Sequence, residues 1–256
     1  MQRILFNKAI GLFICAIAIL LCSLSAFGAT SADSGRQILV LGGTGELGSE
    51  IVRLLVKQGD HVSVYVRRDS DRSKLNGLTV DFLEGNLLNQ REVAVALYAK
   101  KFFAIINAVR VDDGDEHFYE KVMGNTLPAA KANGVVQILH HSAVGAGDNA
   151  SQFLTLGWER VPGLLPKLKD QGIGEMMLRT SGMYSTIMRN ARLYPAGTPA
   201  TGYAQLTEDT SVLTPMTRAD LAQLTVSCVG NSLCYDKIYH VRDLSLVWPM
   251  PTHATP

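Results

Sequence analysis

Three glycines at intervals of three residues, Gly42-x-x-Gly45-x-x-Gly48 in ILVLGGTGELGSEIVRLL, have the type and spacing best suited to chemistry in this chain. They follow an apolar run, Ile38 to Leu41, and open a stretch from Ser49 to Lys57. In that stretch Ile51, Val52, Leu54 and Leu55 share one helical side, while Glu50, Arg53 and Lys57 share the other. The first glycine permits a tight turn, and the second removes a side chain where a pyrophosphate must approach. The third lets helix and strand pack closely, and the free N–H groups and helix dipole then meet phosphate oxygens. Strand, turn, helix and second strand in this order predict a dinucleotide site. At the end of the second strand, VYVRRDS carries Arg67 and Arg68 where an acidic residue would accept ribose hydroxyls. Guanidinium groups suit a 2′-phosphate, so NADP is the expected cofactor, with Asp69 keeping NAD open.

Further candidates are acids and thiols. His140 and His141 end the apolar run VVQILHH. His141 is a candidate acid near neutral pH, although adjacent strand residues point to opposite faces and only one of the pair can face a cleft. Tyr119, Tyr184 and Tyr194 are the phenols placed to be weighed beside it. Cys228 and Cys234 flank VGNSL; an oxidising compartment permits a disulfide there, and two free thiols are the alternative. Two thiols at this spacing, with no accompanying histidine pair, make no metal site, and no metal is expected.

The elements that must position these residues alternate. Strands are expected at Ile38–Leu41, Val62–Val66, Val80–Leu83, FFAIINAV, VVQILHHSAV, YSTIMRNARL and KIYHVRD. Helices are expected at Ser49–Lys57, Asn89–Ala99, the DEHFYEKVMGNTLPAAKANG stretch with Pro128 inside it, Gly174–Ser181, and after Thr217 as a cap. Between Gly145 and Asp170 the pattern is weak. Such alternation demands a parallel sheet covered on both faces. The expected fold is α/β: a Rossmann-like doubly wound parallel sheet with a small C-terminal substrate-side lobe. It forms a single NAD(P)-binding domain over residues 36–250, with 145–170 and 195–235 contributing the lobe.

With the glycine turn, the arginine after the second strand and GNTLPAAKANGVVQILHHSAVG, the chain resembles the atypical short-chain dehydrogenase/reductase superfamily, on its NAD(P)H-binding, nitrogen-repression-regulator-like branch. The resemblance spans Gln37 to Leu244. It implies that Gly42, Thr44, Gly45, Glu46, Leu47 and Gly48 line the diphosphate turn and that Arg67 meets the adenosine phosphate. It also puts Asn86 at adenine, and Asn107, Ala108 and Val109 along the nicotinamide-side ribose. Ser142 matches the family's catalytic serine at the end of the fifth strand. The family's Tyr-x-x-x-Lys pair is missing: its tyrosine position falls at Lys167 and its lysine position at Gln171, and Asn190 stands where a proline is usual. These departures leave two expectations. One is an NADP(H)-dependent oxidoreductase acting on a small carbonyl or quinone; the other is a non-catalytic dinucleotide-binding or redox-sensing protein with a membrane or envelope partner.

The chain has 256 residues, enough for one substantial core, and 47% of them are hydrophobic. Its first 31 residues read as a signal peptide or membrane anchor: Arg3 and Lys8, an apolar run to Leu24, then small residues to Ala32. Either version places the domain outside the cytoplasm, in a periplasm or lumen or tethered to a membrane. Without Arg3 and Lys8 the formal charge of +1 turns slightly negative, so the chain has no basic field for nucleic acid.

Overall fold

A computed structural model describes residues 35–110 and 115–248. The leader lies outside the described residues. Eight strands form one sheet: β1 (Gln37–Leu41), β2 (His61–Val66), β3 (Asp81–Glu84), β4 (Ala104–Asn107), β5 (Gln137–Ala143), β6 (Tyr184–Asn190), β7 (Gln205–Thr207) and β8 (Lys237–Arg242). Their spatial order is β3-β2-β1-β4-β5-β6-β8-β7, parallel throughout except for β7, which runs antiparallel to β8. This is the doubly wound sheet that the alternation of elements predicts. The three-residue edge strand β7 has no counterpart among the expected elements, because so short a segment carries no periodicity.

Five helices cover the sheet: α1 (Glu46–Lys57), α2 (Gln90–Tyr98), α3 (Phe118–Asn133), α4 (Leu164–Arg179) and α5 (Arg218–Ser227). Strand alternation separates two cores. Ile38, Val40, Val62, Val64, Ile106 and Leu139 point to the face packed by α1 and α5. Leu39, Leu41, Tyr65, Ile105, Ile138 and Ile187 point to the face packed by α2, α3 and α4. Each fully buried Leu or Ile contributes about 1.5 to 3 kcal/mol, so a one-residue slip in any central strand would exchange the two cores at large cost.

Helix ends follow local chemistry. Asn89 caps α2, its side chain accepting from the N–H groups of Arg91 and Glu92. Thr217 caps α5 by accepting from the Asp220 N–H. Gly134 ends α3 in the left-handed conformation, and the helix runs unbroken through Pro128. Helix α4 corrects the expected start at Gly174: it begins ten residues earlier, at Leu164. Pro166 sits in its first turn, where no N–H partner exists to be lost. Gly172 belongs to the helix because a Cβ there would lie 2.5 Å from the Gly147 nitrogen; its role is close approach, not helix termination.

The two stretches expected to form a substrate-side lobe touch. Asn149 donates to the Thr210 carbonyl at 2.9 Å, and Gln152 donates to the Thr210 hydroxyl at 3.0 Å. Cys228 and Cys234 form a disulfide immediately after α5.

Candidate functional site

After β1 the chain moves outward to β2 and β3, then returns to β4 on the other side. In open α/β sheets the crevice at this switch point, beyond the carboxyl ends of the strands, receives ligands. The two strand ends meet closely there: a Cβ on Gly42, which has φ +79°, would lie 2.8 Å from the Ala108 carbonyl oxygen. A Cβ on Gly48 would lie 2.1 Å from the Gly42 oxygen, so the third glycine is required by packing of α1 on the turn. Gly45 is different. Its backbone is extended (φ −72°, ψ 174°), it is exposed, and a Cβ would approach nothing but the Gly42 oxygen, at 3.2 Å. The middle glycine therefore has the Gly42 oxygen as its one close neighbour and keeps its exposed side clear of side chains, where a pyrophosphate would approach.

Gly45 is also the N-cap of α1 and supplies no side-chain cap. The first N–H groups of the helix are thus left to a ligand, and the dipole favours an anion. Thr44 and Leu47 are half-buried beside them. The Glu46 carboxylate does not join this anion site: it pairs with Arg218 of α5 at 2.6 Å, while Arg218 also donates to the Tyr194 carbonyl. A surface cleft of about 390 Å³, lined by Glu46, Ser49, Arg53, Gly197 and Arg218 among others, borders this end of α1.

Arg67, just beyond β2, is 68% exposed in its side chain and approaches Asp69 at 4.0 Å, so its guanidinium remains available to a phosphate. Asn86 follows β3; its side-chain oxygen accepts from the Leu88 N–H at 2.9 Å, which leaves the amide NH₂ to donate. At the end of β4, Asn107 is 1% exposed, its oxygen accepts from the Val109 N–H at 3.3 Å, and its amide nitrogen has no partner.

On β5, alternation sends His140 and Ser142 to the α3/α4 face and His141 to the opposite face. Register sets Asn107 beside His140 and Ser142 beside Arg189 of β6. Ser142 Oγ, both ring nitrogens of His140 and Gln171 Oε1 are buried without partners, as is the Asn107 nitrogen. Buried polar atoms left unpaired cost about 1 to 3 kcal/mol each, so Asn107 and Ser142, at the carboxyl ends of β4 and β5, keep hydrogen-bonding capacity for a polar ligand. The glycine turn and the uncapped helix fit the diphosphate of a dinucleotide.

The His141 ring bridges Asn190 Nδ2 (3.2 Å from Nδ1) and Thr225 Oγ1 (3.2 Å from Nε2). The Thr225 hydroxyl already donates to the Leu221 carbonyl, so Nε2–H must donate to Thr225 while Nδ1 accepts from Asn190. That tautomer is neutral, and burial lowers the His141 pKa to about 4. Both ring nitrogens of His141, expected as a candidate acid, are thus engaged by Asn190 and Thr225 within the protein. His140 is lowered further, to about 3, by burial and then by neighbouring His141.

The remaining candidates separate clearly. Gln171 is buried on α4, and Lys167 lies one turn earlier, half-buried. Tyr119 packs edge-on against His140, with ring centroids 6.1 Å apart. Tyr184 stacks on Tyr235, and the Tyr194 hydroxyl donates to the Val247 carbonyl; both are packing groups. Sequence reasoning missed Arg189, 2% exposed and paired with buried Glu175 at 2.5 Å and with Asp148 at 2.6 Å. Burial alone pulls its pKa down, but the Glu175 and Asp148 carboxylates outweigh this and hold it above the usual guanidinium value. The available signal was an arginine directly after Ile187 and Met188 in an expected strand.

A family model described as NAD(P)H-binding matches residues 42–232. Among curated proteins, sterol demethylase protein B of Methylococcus capsulatus is 35% identical over 113 residues, which is 42% of this chain and 34% of that protein. The chain thus aligns with about a third of the length of the curated relative it matches. Among solved structures, an anaerobillin reductase from Escherichia coli O157:H7 superposes with a TM-score of 0.71 at 19% identity, covering 82% of this chain and 98% of that one. A short-chain dehydrogenase/reductase from Veillonella parvula in complex with NADP gives a TM-score of 0.66 at 13% identity, covering 85% and 99%.

Proposed function

Because the chain belongs to the NAD(P)H-binding family, we propose that it is an NADP(H)-dependent oxidoreductase of the atypical short-chain dehydrogenase type, nearest the nitrogen-repression-regulator-like branch, reducing a small carbonyl or quinone. The observation that carries this reading is the pair of buried, unpaired polar atoms on Asn107 and Ser142, at the carboxyl ends of β4 and β5, on the side of the sheet's end where the glycine turn follows β1. A bound nicotinamide supplies the hydride; the protein supplies position and polarity. Gly45 and the first N–H groups of α1 hold the diphosphate, and Arg67 favours the 2′-phosphate of NADP over NAD. Ser142 Oγ donates to the acceptor oxygen. Gln171 brings no positive charge, and His140 is held neutral by burial, so neither delivers a proton readily near pH 7. This suits an acceptor already activated by conjugation, such as a quinone. The name of the curated relative, a sterol demethylase protein, supports a lipophilic one.

The second reading is a non-catalytic binder or redox sensor, favoured by the loss of the Tyr-x-x-x-Lys pair. Oxidation of NADPH against a panel of quinones and aldehydes separates the two, with Ser142→Ala as the control. We expect turnover with quinones, reduced at least about tenfold in the variant. Binding of NADPH without turnover of any acceptor would establish the binder instead. The leader and the Cys228–Cys234 disulfide support a domain held outside the cytoplasm, free in a periplasm or lumen or tethered to a membrane. Intact-mass measurement of protein from its native envelope tests that placement and shows whether the leader is removed.

A further inference from the structure

Two stretches leave the sheet by its C-terminal edge and turn large apolar side chains to solvent. The first, after β5, carries Leu156, Val161 and Leu165, the last in the opening turn of α4. The second, after β8, carries Leu244, Val247 and Trp248. Exposure of these six runs from 45% at Leu165 and Trp248 to 74% at Leu244. Strands β5 and β8 are separated only by β6, and all three are parallel, so both stretches emerge at one end of the molecule. The same end carries the glycine turn and the uncapped start of α1. Single exposed apolar residues are ordinary on a protein surface, whereas six on two stretches that leave the same end of the sheet mark that end for interaction.

Charge identifies the occupant. The stretch Trp158 to Lys169 holds Arg160, Lys167 and Lys169 against one acid, Glu159, for a net positive charge. Arg160 is 86% exposed in its side chain and meets the neighbouring Glu159 at 3.6 Å. A second copy of the chain docking symmetrically would bring these cations against one another, which like-charge repulsion opposes. An anionic lipid surface attracts them, while leucine, valine and tryptophan side chains enter the headgroup boundary. No described helix is long and apolar enough to cross a membrane, so the contact belongs to the interface of one leaflet.

We propose that the C-terminal edge of the sheet docks on a membrane containing anionic lipid. Leu156, Val161, Leu165, Leu244, Val247 and Trp248 enter the headgroup boundary, and Arg160 and Lys169 meet the phosphates. Docking does not depend on the oxidoreductase reading. Where both hold, the cofactor edge faces the bilayer and the acceptor is drawn from it.

The chain has two tryptophans, Trp158 and Trp248, which makes the test direct. Full-length protein is mixed with vesicles of phosphatidylcholine and phosphatidylglycerol whose acyl chains are either plain or brominated, because bromine quenches nearby indoles. The expected result is a loss of emission of at least about twofold on bromination, persisting in Trp158→Phe. It should be cut by more than half in a Leu156→Ser, Val161→Ser, Leu165→Ser variant and in an Arg160→Glu, Lys169→Glu variant, with NADPH affinity unchanged in both. Equal emission from plain and brominated vesicles overturns the proposal. So does quenching that survives the serine variant, since the leader would then hold the protein near lipid without seating this edge. Undiminished quenching on pure phosphatidylcholine overturns the anionic component. A lipid-free dimer that the serine variant dissolves, without quenching in wild type, assigns the surface to a second copy and overturns membrane docking. Loss of NADPH binding with quenching intact counts against the oxidoreductase reading alone.

Discussion

Gly45 and Gly48 have the same residue type and opposite reasons for it. Gly45 has ordinary extended dihedrals and one close neighbour, the Gly42 oxygen, so Gly45→Ala should cost only about 1 kcal/mol of stability at this N-cap while NADPH affinity falls at least about tenfold, measured by fluorescence titration. Gly48→Ala would set a Cβ 2.1 Å from the Gly42 oxygen, so stability and binding should fall together, stability by about 1 to 3 kcal/mol in a denaturant titration. If Gly45→Ala binds NADPH as wild type does, the space above the turn is not where the pyrophosphate sits. Arg67 provides the complementary case at the other end of the cofactor. Arg67→Glu should weaken NADPH at least about tenfold and leave NADH nearly unchanged, because the lost contact is to the 2′-phosphate alone. Equal losses for both cofactors would remove Arg67 from discrimination.

Among the elements, α4 and β6 are locked by the Arg189–Glu175 pair, both residues 2% exposed in their side chains. Glu175→Gln removes the charge and leaves a buried guanidinium with only the exposed Asp148 for compensation. The expected cost is about 3 to 5 kcal/mol, read from the denaturation midpoint. A double replacement, Arg189→Met with Glu175→Leu, should recover most of it, because the penalty comes from the uncompensated charge rather than from the loss of an attraction. Helix α5 is fastened differently: Thr217 caps its start, and the Cys228–Cys234 bridge closes a short loop at its end. A loop of that length constrains the unfolded chain by about 2 kcal/mol, so reduction should lower stability by that order.

At the scale of the whole molecule, stability is coupled to pH through the sheet's centre. His140 and His141 are held at about 3 and about 4, against 6.5 for an unhindered imidazole. As pH falls below 6.5, the unfolded chain binds protons that the folded chain refuses. Their contribution is therefore complete above that value and is lost progressively toward pH 3. At about pH 5 each histidine should cost roughly 2 kcal/mol, so the melting temperature should drop well before the carboxylates titrate. His140→Gln should flatten part of that slope in a series of thermal melts. An unchanged slope would mean that His140 is hydrated and charged in the folded state.

The alternation of β-branched strands with amphipathic helices was enough to read the parallel sheet, because period is a local property of the chain. The glycine turn was legible for the same reason: all its parts lie within eleven residues, Ile38 to Gly48, and backbone sterics require those glycines wherever such a turn occurs. Arg67, at the end of the second strand, could be placed by counting. What could not be read was which side chains share a face across strands far apart in sequence. His141 is of the residue type for an acid near neutral pH, but Asn190 and Thr225, 49 and 84 residues away, occupy both its nitrogens. The Arg189–Glu175 pair, the early start of α4 and the two apolar stretches at one end of the sheet likewise depend on register and crossover. Local pattern sets which elements form; burial and partners are set by the neighbours that folding brings, and those settle charge state, availability and chemistry.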